Sequence, residues 1–156
     1  MPTSPIERRE LAAEPILFIR RQVSRAGLAQ AIGECLGAIF AHAQKQGLAL
    51  AGQPFTRYPS ASPGLLTAEI GFRLTAPGSG ESEIEAGFLA AGEAAVATHE
   101  GGYDDLGETY AALERWMGAE GVRPRGAPWE VYLTDPAEHP NPADWRTEVF
   151  WPFAGA

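Results

Sequence analysis

Two stretches of the chain place apolar residues three or four positions apart, which is the spacing of an amphipathic helix. Ser24 is positioned to cap the first helix. Gly47 and Gly121 follow the two stretches, and glycine is favoured there because the backbone turns left-handed at a helix end. The pattern therefore predicts two helices that each end just before a glycine. The two stripes are Leu28, Ile32, Cys35, Leu36, Ile39, Phe40 and Ala43, and then Leu106, Tyr110, Leu113, Trp116 and Met117.

Apolar and polar residues alternate on both sides of each predicted helix, which indicates β-strands. The clearest alternation runs through residues 66–74 and residues 147–153. Weaker patterns predict further strands at residues 15–23, 83–89, 93–99 and 128–133. With residues 47–58 as the strand that follows the first helix, each half of the chain has the order strand, helix, strand, strand.

The two halves also share sequence. Residues 47–58 read GLALAGQPFTRY and residues 121–132 read GVRPRGAPWEVY, so that two glycines, a proline and a tyrosine recur at the same spacing. A repeat of this kind indicates a duplicated structural unit. We expect a single α+β domain over residues 1–156, with βαββ pseudo-repeats at about residues 15–76 and 83–153. Both helices would pack on one antiparallel sheet of about eight strands, with a ligand groove between the halves.

The charge balance argues against several classes of partner. The chain has 20 acidic and 12 basic residues, for a formal net charge of −8. Direct binding to nucleic acid or docking on an anionic membrane is therefore not expected. No segment has the pattern of a signal peptide or the roughly 18 apolar residues of a membrane span. We therefore expect a cytoplasmic protein, and the richness in alanine and arginine favours a bacterial source.

The sequence contains no recognisable motif for a metal, a cofactor or a known catalytic mechanism. The single cysteine, Cys35, lies within the first apolar stripe, where buried packing is expected. His42, His99 and His139 share no ligand spacing, so we expect no metal site and no cofactor. There is also no nucleophile elbow and no phosphate-binding loop.

Three runs in the second half carry a more specific signal. They are THEGGYDDL at residues 98–106, PWEVYLTDP at residues 128–136 and TEVFWPF at residues 147–153. Together they resemble the GyrI-like effector-binding family, whose members are ligand-sensing domains of AraC-type and MerR-type multidrug regulators or stand-alone proteins. The resemblance extends over residues 15–153. It implies the duplicated βαββ fold and the binding of small, lipophilic compounds that are cationic or aromatic.

The resemblance also implies one carboxylate at the site. In drug-sensing members a buried glutamate of a Glu-x-Tyr motif, surrounded by aromatic side chains, receives the positive charge of the ligand. Glu130 occupies that position here, and alternation puts Glu130 and Tyr132 on one face of their strand. Because Trp129 and Val131 are apolar, we expect their face to pack under the helices and Glu130 to face the groove.

The same alternation puts Glu148 and Phe150 on the groove face of the last strand, while Val149, Trp151 and Phe153 face the core. The predicted ligand-binding residues are therefore Glu130, Tyr58, Tyr132, Tyr103, Glu148 and Phe150.

Structural interpretations stay open for most of these positions. Glu130 is alternatively paired with an arginine such as Arg57 or Arg146, or solvated. Tyr58 and Tyr132 are alternatively sheet-packing residues. Tyr103 could instead pack at the start of the second helix, and Glu148 could occupy an exposed position on its strand. The core is expected to contain Trp129, Phe55 and Phe40.

Three functions follow from these observations. The leading one is a stand-alone module that senses or sequesters a lipophilic cation, since no helix-turn-helix segment is recognisable before the first predicted strand. The second, implied by the resemblance, is a hydrolase of strained cyclopropane-containing toxins, with Glu130 as general base and Tyr58 or Tyr103 as acid. The third is inhibition of a protein partner such as DNA gyrase. Formation of a homodimer is also left open.

Overall fold

The computed structural model describes residues 5–62, 64–135 and 137–155. These residues form nine β-strands and two α-helices. The chain divides into two compact units. The first-helix unit is Ala12–Ala91, and the second-helix unit combines Met1–Leu11 with Gly92–Ala156. In chain order the elements are β1 (Glu7–Leu11), β2 (Glu14–Val23), α1 (Leu28–Gln46), β3 (Leu50–Ser62), β4 (Leu65–Leu74), β5 (Glu85–Leu89), β6 (Gly92–Glu100), α2 (Leu106–Glu120), β7 (Arg123–Pro124), β8 (Trp129–Tyr132) and β9 (Arg146–Ala154).

The first-helix unit is an antiparallel sheet in the order β3-β4-β2-β5, with α1 packed on one side. The core between them contains apolar residues of α1, β2 and β4. Gly47 ends α1 in the left-handed conformation, with φ 70°, as the position after the apolar stripe requires. The buried members of this core are Leu17, Ile19, Ala31, Cys35, Ile39, Ala68, Ile70 and Leu74.

The second-helix unit repeats this arrangement with β6, α2, β8 and β9. Its sheet has the order β1-β6-β9-β8, and the short β7 pairs with the end of β9. Gly121 ends α2 in the left-handed conformation, with φ 73°. The core between α2 and the sheet contains Ala95, Ala97, Leu106, Leu113, Met117, Val122, Val149 and Phe153.

These observations confirm the predicted fold class. Each unit contains a strand, a helix and two further strands, all strand pairs within a unit are antiparallel, and one helix covers one side of the sheet. The strand β1 was not predicted, because its sequence ERREL alternates poorly and is mostly charged. Such a sequence suits an edge strand, where charged side chains discourage pairing with another chain.

Two local predictions are wrong. The residue that caps the start of α1 is Gly27 rather than Ser24, whose hydroxyl instead accepts a hydrogen bond from the Gly27 N–H in the preceding turn. Phe40 is 48% exposed and does not belong to the core. It lies at the flank of the apolar stripe, where the helix surface has already turned away from the sheet.

Candidate ligand-binding site

The register of β8 on β9 determines which side of the sheet each candidate residue occupies. Glu130 lies opposite Val149, and residues paired directly across two strands point to the same side of a sheet. Val149 belongs to the core beneath α2. Glu130 and Tyr132 therefore lie on the side that α2 covers, called here the helix side. The prediction that Trp129 and Val131 pack under the helix and Glu130 lies away from it is wrong.

The Glu130 side chain is buried beneath α2 and bound by two hydroxyl groups. The residue is 4% exposed. Tyr110, on α2, donates a hydrogen bond of 2.6 Å to Oε2, and Tyr132, two residues along β8, donates one of 3.1 Å to Oε1. The Tyr110 ring in turn packs edge-on against Trp151, with centroids 5.8 Å apart. A buried carboxylate requires such donors, because burial without them is costly.

Three aromatic rings continue outward from the Glu130 carboxylate. The ring of Tyr103 lies 5.9 Å from that of Tyr132 and 4.9 Å from that of Trp145, centroid to centroid. Tyr103 is 41% exposed, so this group of rings reaches the protein surface. The site is thus a buried carboxylate with aromatic faces leading to it.

The backbone that carries Tyr103 and Trp145 is held by hydrogen bonds. The N–H of Gly101 donates to the carbonyl of Trp145 over 2.8 Å. The fully buried His99 lies 2.9 Å from the carbonyl of Gly102 through Nε2 and 2.9 Å from the Thr109 hydroxyl through Nδ1. Because a carbonyl only accepts, Nε2 carries the proton of this contact. These bonds join the segment before α2 to the residue that precedes β9 and, through His99, to the helix.

The electrostatics of Tyr103 reflect its position beside the carboxylate. Burial is the largest cause that raises the pKa of the Tyr103 hydroxyl, and the negative charges of Glu130 and Asp135 raise it further. The hydroxyl therefore keeps its proton at neutral pH and is available as a hydrogen-bond donor.

Glu148 and Phe150 lie on the other side of the sheet, called here the reverse side. Phe150 pairs with Trp129 in the register and stacks on it, with ring centroids 5.4 Å apart. Arg9 reaches both residues, with a nitrogen 3.4 Å from a Glu148 oxygen and its guanidinium 5.7 Å from the Phe150 ring centroid. The structure therefore does not bring Glu148 and Phe150 onto the side of Glu130, and the prediction that they share its face is wrong.

A family model described as a GyrI-like small molecule binding domain matches residues 4–154. The chain belongs to the GyrI-like small molecule binding domain family. This membership confirms the resemblance seen in the motif runs. A comparison with curated proteins gives no match.

Solved structures share the GyrI-like fold over nearly the whole chain. The C-terminal domain of EcmrR has a TM-score of 0.87 at 22% identity, covering 97% of this chain and 98% of that domain. In the cryo-EM structure of the EcmrR–DNA complex the TM-score is 0.86 at 22% identity, and the alignment covers 100% of this chain but only 59% of that chain. This chain thus spans about three fifths of the length of that relative.

Two further structures of this fold are a protein described as a hydrolase and a protein with a bound cation. A hydrolase from Listeria innocua has a TM-score of 0.72 at 17% identity, covering 99% of this chain and 94% of that chain. SAV2435, solved with bound tetraphenylphosphonium, has a TM-score of 0.65 at 14% identity, covering 97% and 95%. At such identities these likenesses show a shared fold.

Tyr58 and the two arginines considered as partners of Glu130 have other surroundings. Tyr58 belongs to the first-helix unit, where it packs partly buried against the core beneath α1. Arg57 binds Glu69 over 2.6 Å, and Arg146 lies 4.0 Å from Glu100. The packing of Tyr58 does not test its predicted contact with a ligand, which stays a prediction.

Two residues that contact Glu130 or Tyr103 were not among the predicted site residues. Tyr110 was assigned only to the apolar stripe of the second helix, and Trp145 ends a loop rich in proline and aspartate. The hydroxyl of Tyr110 was the available signal, since a buried tyrosine hydroxyl needs a partner. Among the residues that the structure describes, no three His, Cys, Asp or Glu side chains form a metal-binding group, and no helix is long and apolar enough to cross a membrane.

Proposed function

We propose that this protein binds small lipophilic cations carrying aromatic groups, and that the Glu130 carboxylate receives their positive charge. The observation that supports this most is the burial of Glu130 beneath α2 with hydrogen bonds from the hydroxyls of Tyr110 and Tyr132. The bound tetraphenylphosphonium of SAV2435, a protein of the same fold, supports the same class of ligand.

Hydrogen bonds from tyrosine are compatible with a carboxylate that binds a cationic ligand. A hydroxyl donor stabilises the negative charge, whereas an arginine would also neutralise it. The bonds from Tyr110 and Tyr132 stabilise the Glu130 carboxylate without themselves neutralising its charge, so a cationic ligand is attracted to it. In a buried setting, where the effective dielectric constant is low, attraction between such a charge and a cation is stronger than in water.

The aromatic rings near Glu130 provide the second part of the recognition. A cation within about 6 Å of a ring centroid is attracted by about 0.5 to 2 kcal/mol, depending on how far it is desolvated. Tyr103, Tyr132 and Trp145 offer such faces in a continuous group. The ring substituents of a lipophilic cation would pack on them and be removed from water, which favours binding further.

The shift in melting temperature on adding tetraphenylphosphonium tests the proposal. Wild-type protein should be stabilised, and Glu130→Gln should lose most of that stabilisation because the amide keeps the shape but not the charge. Triphenylphosphine oxide, which has similar rings and no net charge, should stabilise the wild type far less.

Glu148→Gln is the matched control for this experiment. It removes a carboxylate from the reverse side of the same sheet, so its response to tetraphenylphosphonium should equal that of the wild type. An equal response from Glu130→Gln and the wild type would contradict the proposal.

A second candidate function is hydrolysis of a strained, electrophilic ring such as an activated cyclopropane. It is favoured by the hydroxyl of the part-exposed Tyr103, which the negative charge of Glu130 helps to keep protonated, and by the shared fold with a Listeria innocua hydrolase. Glu130 would take a proton from water, the water oxygen would bond to a ring carbon, and Tyr103 would protonate the carbon released by the broken C–C bond. Proton return from Glu130 to Tyr103 completes the cycle.

Mass spectrometry distinguishes the two functions. An electron-poor cyclopropyl ketone incubated with the protein should gain the mass of one water if hydrolysis occurs, and Glu130→Gln and Tyr103→Phe should both prevent the gain. A substrate that is recovered unchanged at a protein concentration sufficient to bind it would exclude this activity for that class of compound.

The remaining expectations about partners belong to the same proposal. The net charge of −8 supports a role without direct binding to nucleic acid. We propose that this role is carried out in the cytoplasm of a bacterium. A protein partner or a second copy of the chain would then receive the signal of ligand binding.

A further inference from the structure

One buried hydroxyl beside Glu130 has no hydrogen-bond partner among the described residues. It belongs to Thr147, on β9, whose side chain is fully buried. Buried polar groups in folded proteins are nearly always paired, and an unpaired one calls for an explanation such as a water or a ligand. The side chain is too short to reach solvent from this position.

The register places this hydroxyl next to the residues of the proposed ligand site. Thr147 lies directly opposite Tyr132 on β8 and His99 on β6, so its side chain is on the helix side between theirs. Tyr132 binds Glu130, and His99 binds Thr109 and the Gly102 carbonyl. Both neighbours thus have polar partners of their own, and Thr147 lies between them. The pair Thr147–Tyr132 is the next pair on the helix side after Val149–Glu130.

We infer that the Thr147 hydroxyl accepts a hydrogen bond from an N–H group of the ligand whose positive charge Glu130 receives. This inference rests on the proposed function and narrows its ligand class. The preferred ligands are protonated amines and amidines, which carry N–H donors on the charged group. Quaternary ammonium and phosphonium ions have no such donor and leave the hydroxyl unpaired.

The test uses two ligands in which the two N–H bonds of one are replaced by N–methyl groups in the other. Dibenzylammonium and dibenzyldimethylammonium carry the same rings and one positive charge each at neutral pH. Titration calorimetry should show that the wild type binds dibenzylammonium about tenfold more tightly, which is the size expected for a hydrogen bond from a charged donor. Equal affinity for the two ligands would overturn the inference, and this comparison needs no variant.

Variants of Thr147 assign the preference to its hydroxyl. Thr147→Val keeps the shape and removes the hydroxyl, so it should lose the tenfold preference, whereas Thr147→Ser should keep it. Thr98→Val is the matched control, since Thr98 lies on the neighbouring strand opposite Glu148 on the reverse side, and it should bind both ligands as the wild type does. A Thr147→Val variant that keeps the preference would overturn the inference.

Glu130→Gln separates failure of this inference from failure of the proposed function. If Glu130 receives the charge, this variant loses affinity for both ligands whether or not Thr147 contributes. Wild-type affinity of Glu130→Gln for both ligands would overturn the proposed function and, with it, the inference.

Discussion

The hydroxyl of Tyr110 on α2 lies 2.6 Å from the Oε2 atom of Glu130 on β8. This contact joins the helix to a strand at the edge of the second-helix unit through a carboxylate rather than through apolar packing alone. It places a charged group in the space where a helix normally packs on a sheet. The same contact therefore matters both for the stability of the unit and for the ligand proposed to bind there.

Removal of the Tyr110 hydroxyl should destabilise the protein. Tyr110→Phe takes away the shorter of the two bonds to a buried carboxylate, and a hydrogen bond to a charged group contributes about 2 kcal/mol. Urea unfolding followed by circular dichroism measures the change. Tyr132→Phe, which removes the 3.1 Å bond, should cost less, and a Tyr110→Phe variant as stable as the wild type would show that the bond contributes nothing.

The ionisation of Tyr103 should report the charge of Glu130. Burial raises the pKa of Tyr103 above its ordinary value of 10.0, and the negative charges of Glu130 and Asp135 raise it further. Glu130→Gln removes one of these charges, so the pKa of Tyr103 should fall. Absorbance titration of tyrosinate, with Tyr103→Phe subtracted to isolate the residue, measures it. An unchanged Tyr103 titration in Glu130→Gln would contradict the proximity of the two groups.

The direction of this shift also predicts how stability depends on alkaline pH. The folded state holds the Tyr103 proton more tightly than the unfolded state, so the stability from this effect is complete below the ordinary pKa of 10.0. It is lost as pH rises through the higher folded-state value. Above about pH 10 the wild type should therefore lose free energy of unfolding more steeply than Tyr103→Phe. Parallel curves for the two proteins would contradict the shift.

The first-helix unit contains a buried carboxylate, that of Glu69, which two arginines bind. Glu69 on β4 binds Arg57 on β3 over 2.6 Å and Arg20 on β2 over 2.7 Å, in direct register. Glu69→Gln takes the carboxylate from the largely buried Arg57, whereas the half-exposed Arg20 keeps its contact with Glu85. The expected cost is about 2 kcal/mol. Thermal unfolding of Glu69→Gln should show this loss, while Glu83→Gln, at an exposed ion pair with Arg21, should unfold nearly as the wild type does.

Cys35 should be chemically inert in the folded protein. It lies in the core beneath α1 with 1% exposure, and burial raises the pKa of its thiol, so little of the reactive thiolate is present at neutral pH. Reaction with a disulfide reagent such as dithionitrobenzoate should be negligible until urea unfolds the chain. Rapid labelling of one thiol per native molecule would contradict this placement.

Most elements of the fold could be predicted from the sequence because their periodicity is unambiguous. The apolar stripes of α1 and α2 and the glycines that end them determine both helices, and β4 and β9 alternate clearly. The side of the sheet on which Glu130 lies could not be predicted. Trp129, Glu130 and Val131 are 4%, 4% and 2% exposed, so β8 is buried on both sides. When both sides of a strand are buried, an apolar side does not identify the side that the helix covers.

The composition of the site was only partly predictable for a related reason. Glu130 and Tyr132 were found through the family motif, and Tyr103 through its place before the second helix. Tyr110 was missed because a stripe residue is read as apolar, although its hydroxyl extends past the core to the carboxylate. Trp145 was missed because its position beside Tyr103 depends on a loop whose path no periodicity describes.

The most direct test of the central claim is the position of a bound cation in a crystal of the complex. Tetraphenylarsonium carries an anomalous scatterer at its charged centre, so a single difference map locates the charge. The account predicts an arsenic peak on the helix side, beside the Glu130 carboxylate and within about 6 Å of the ring of Tyr103 or Tyr132. A peak on the reverse side against Phe150 and Glu148, with the contacts of Glu130 unchanged, would contradict it.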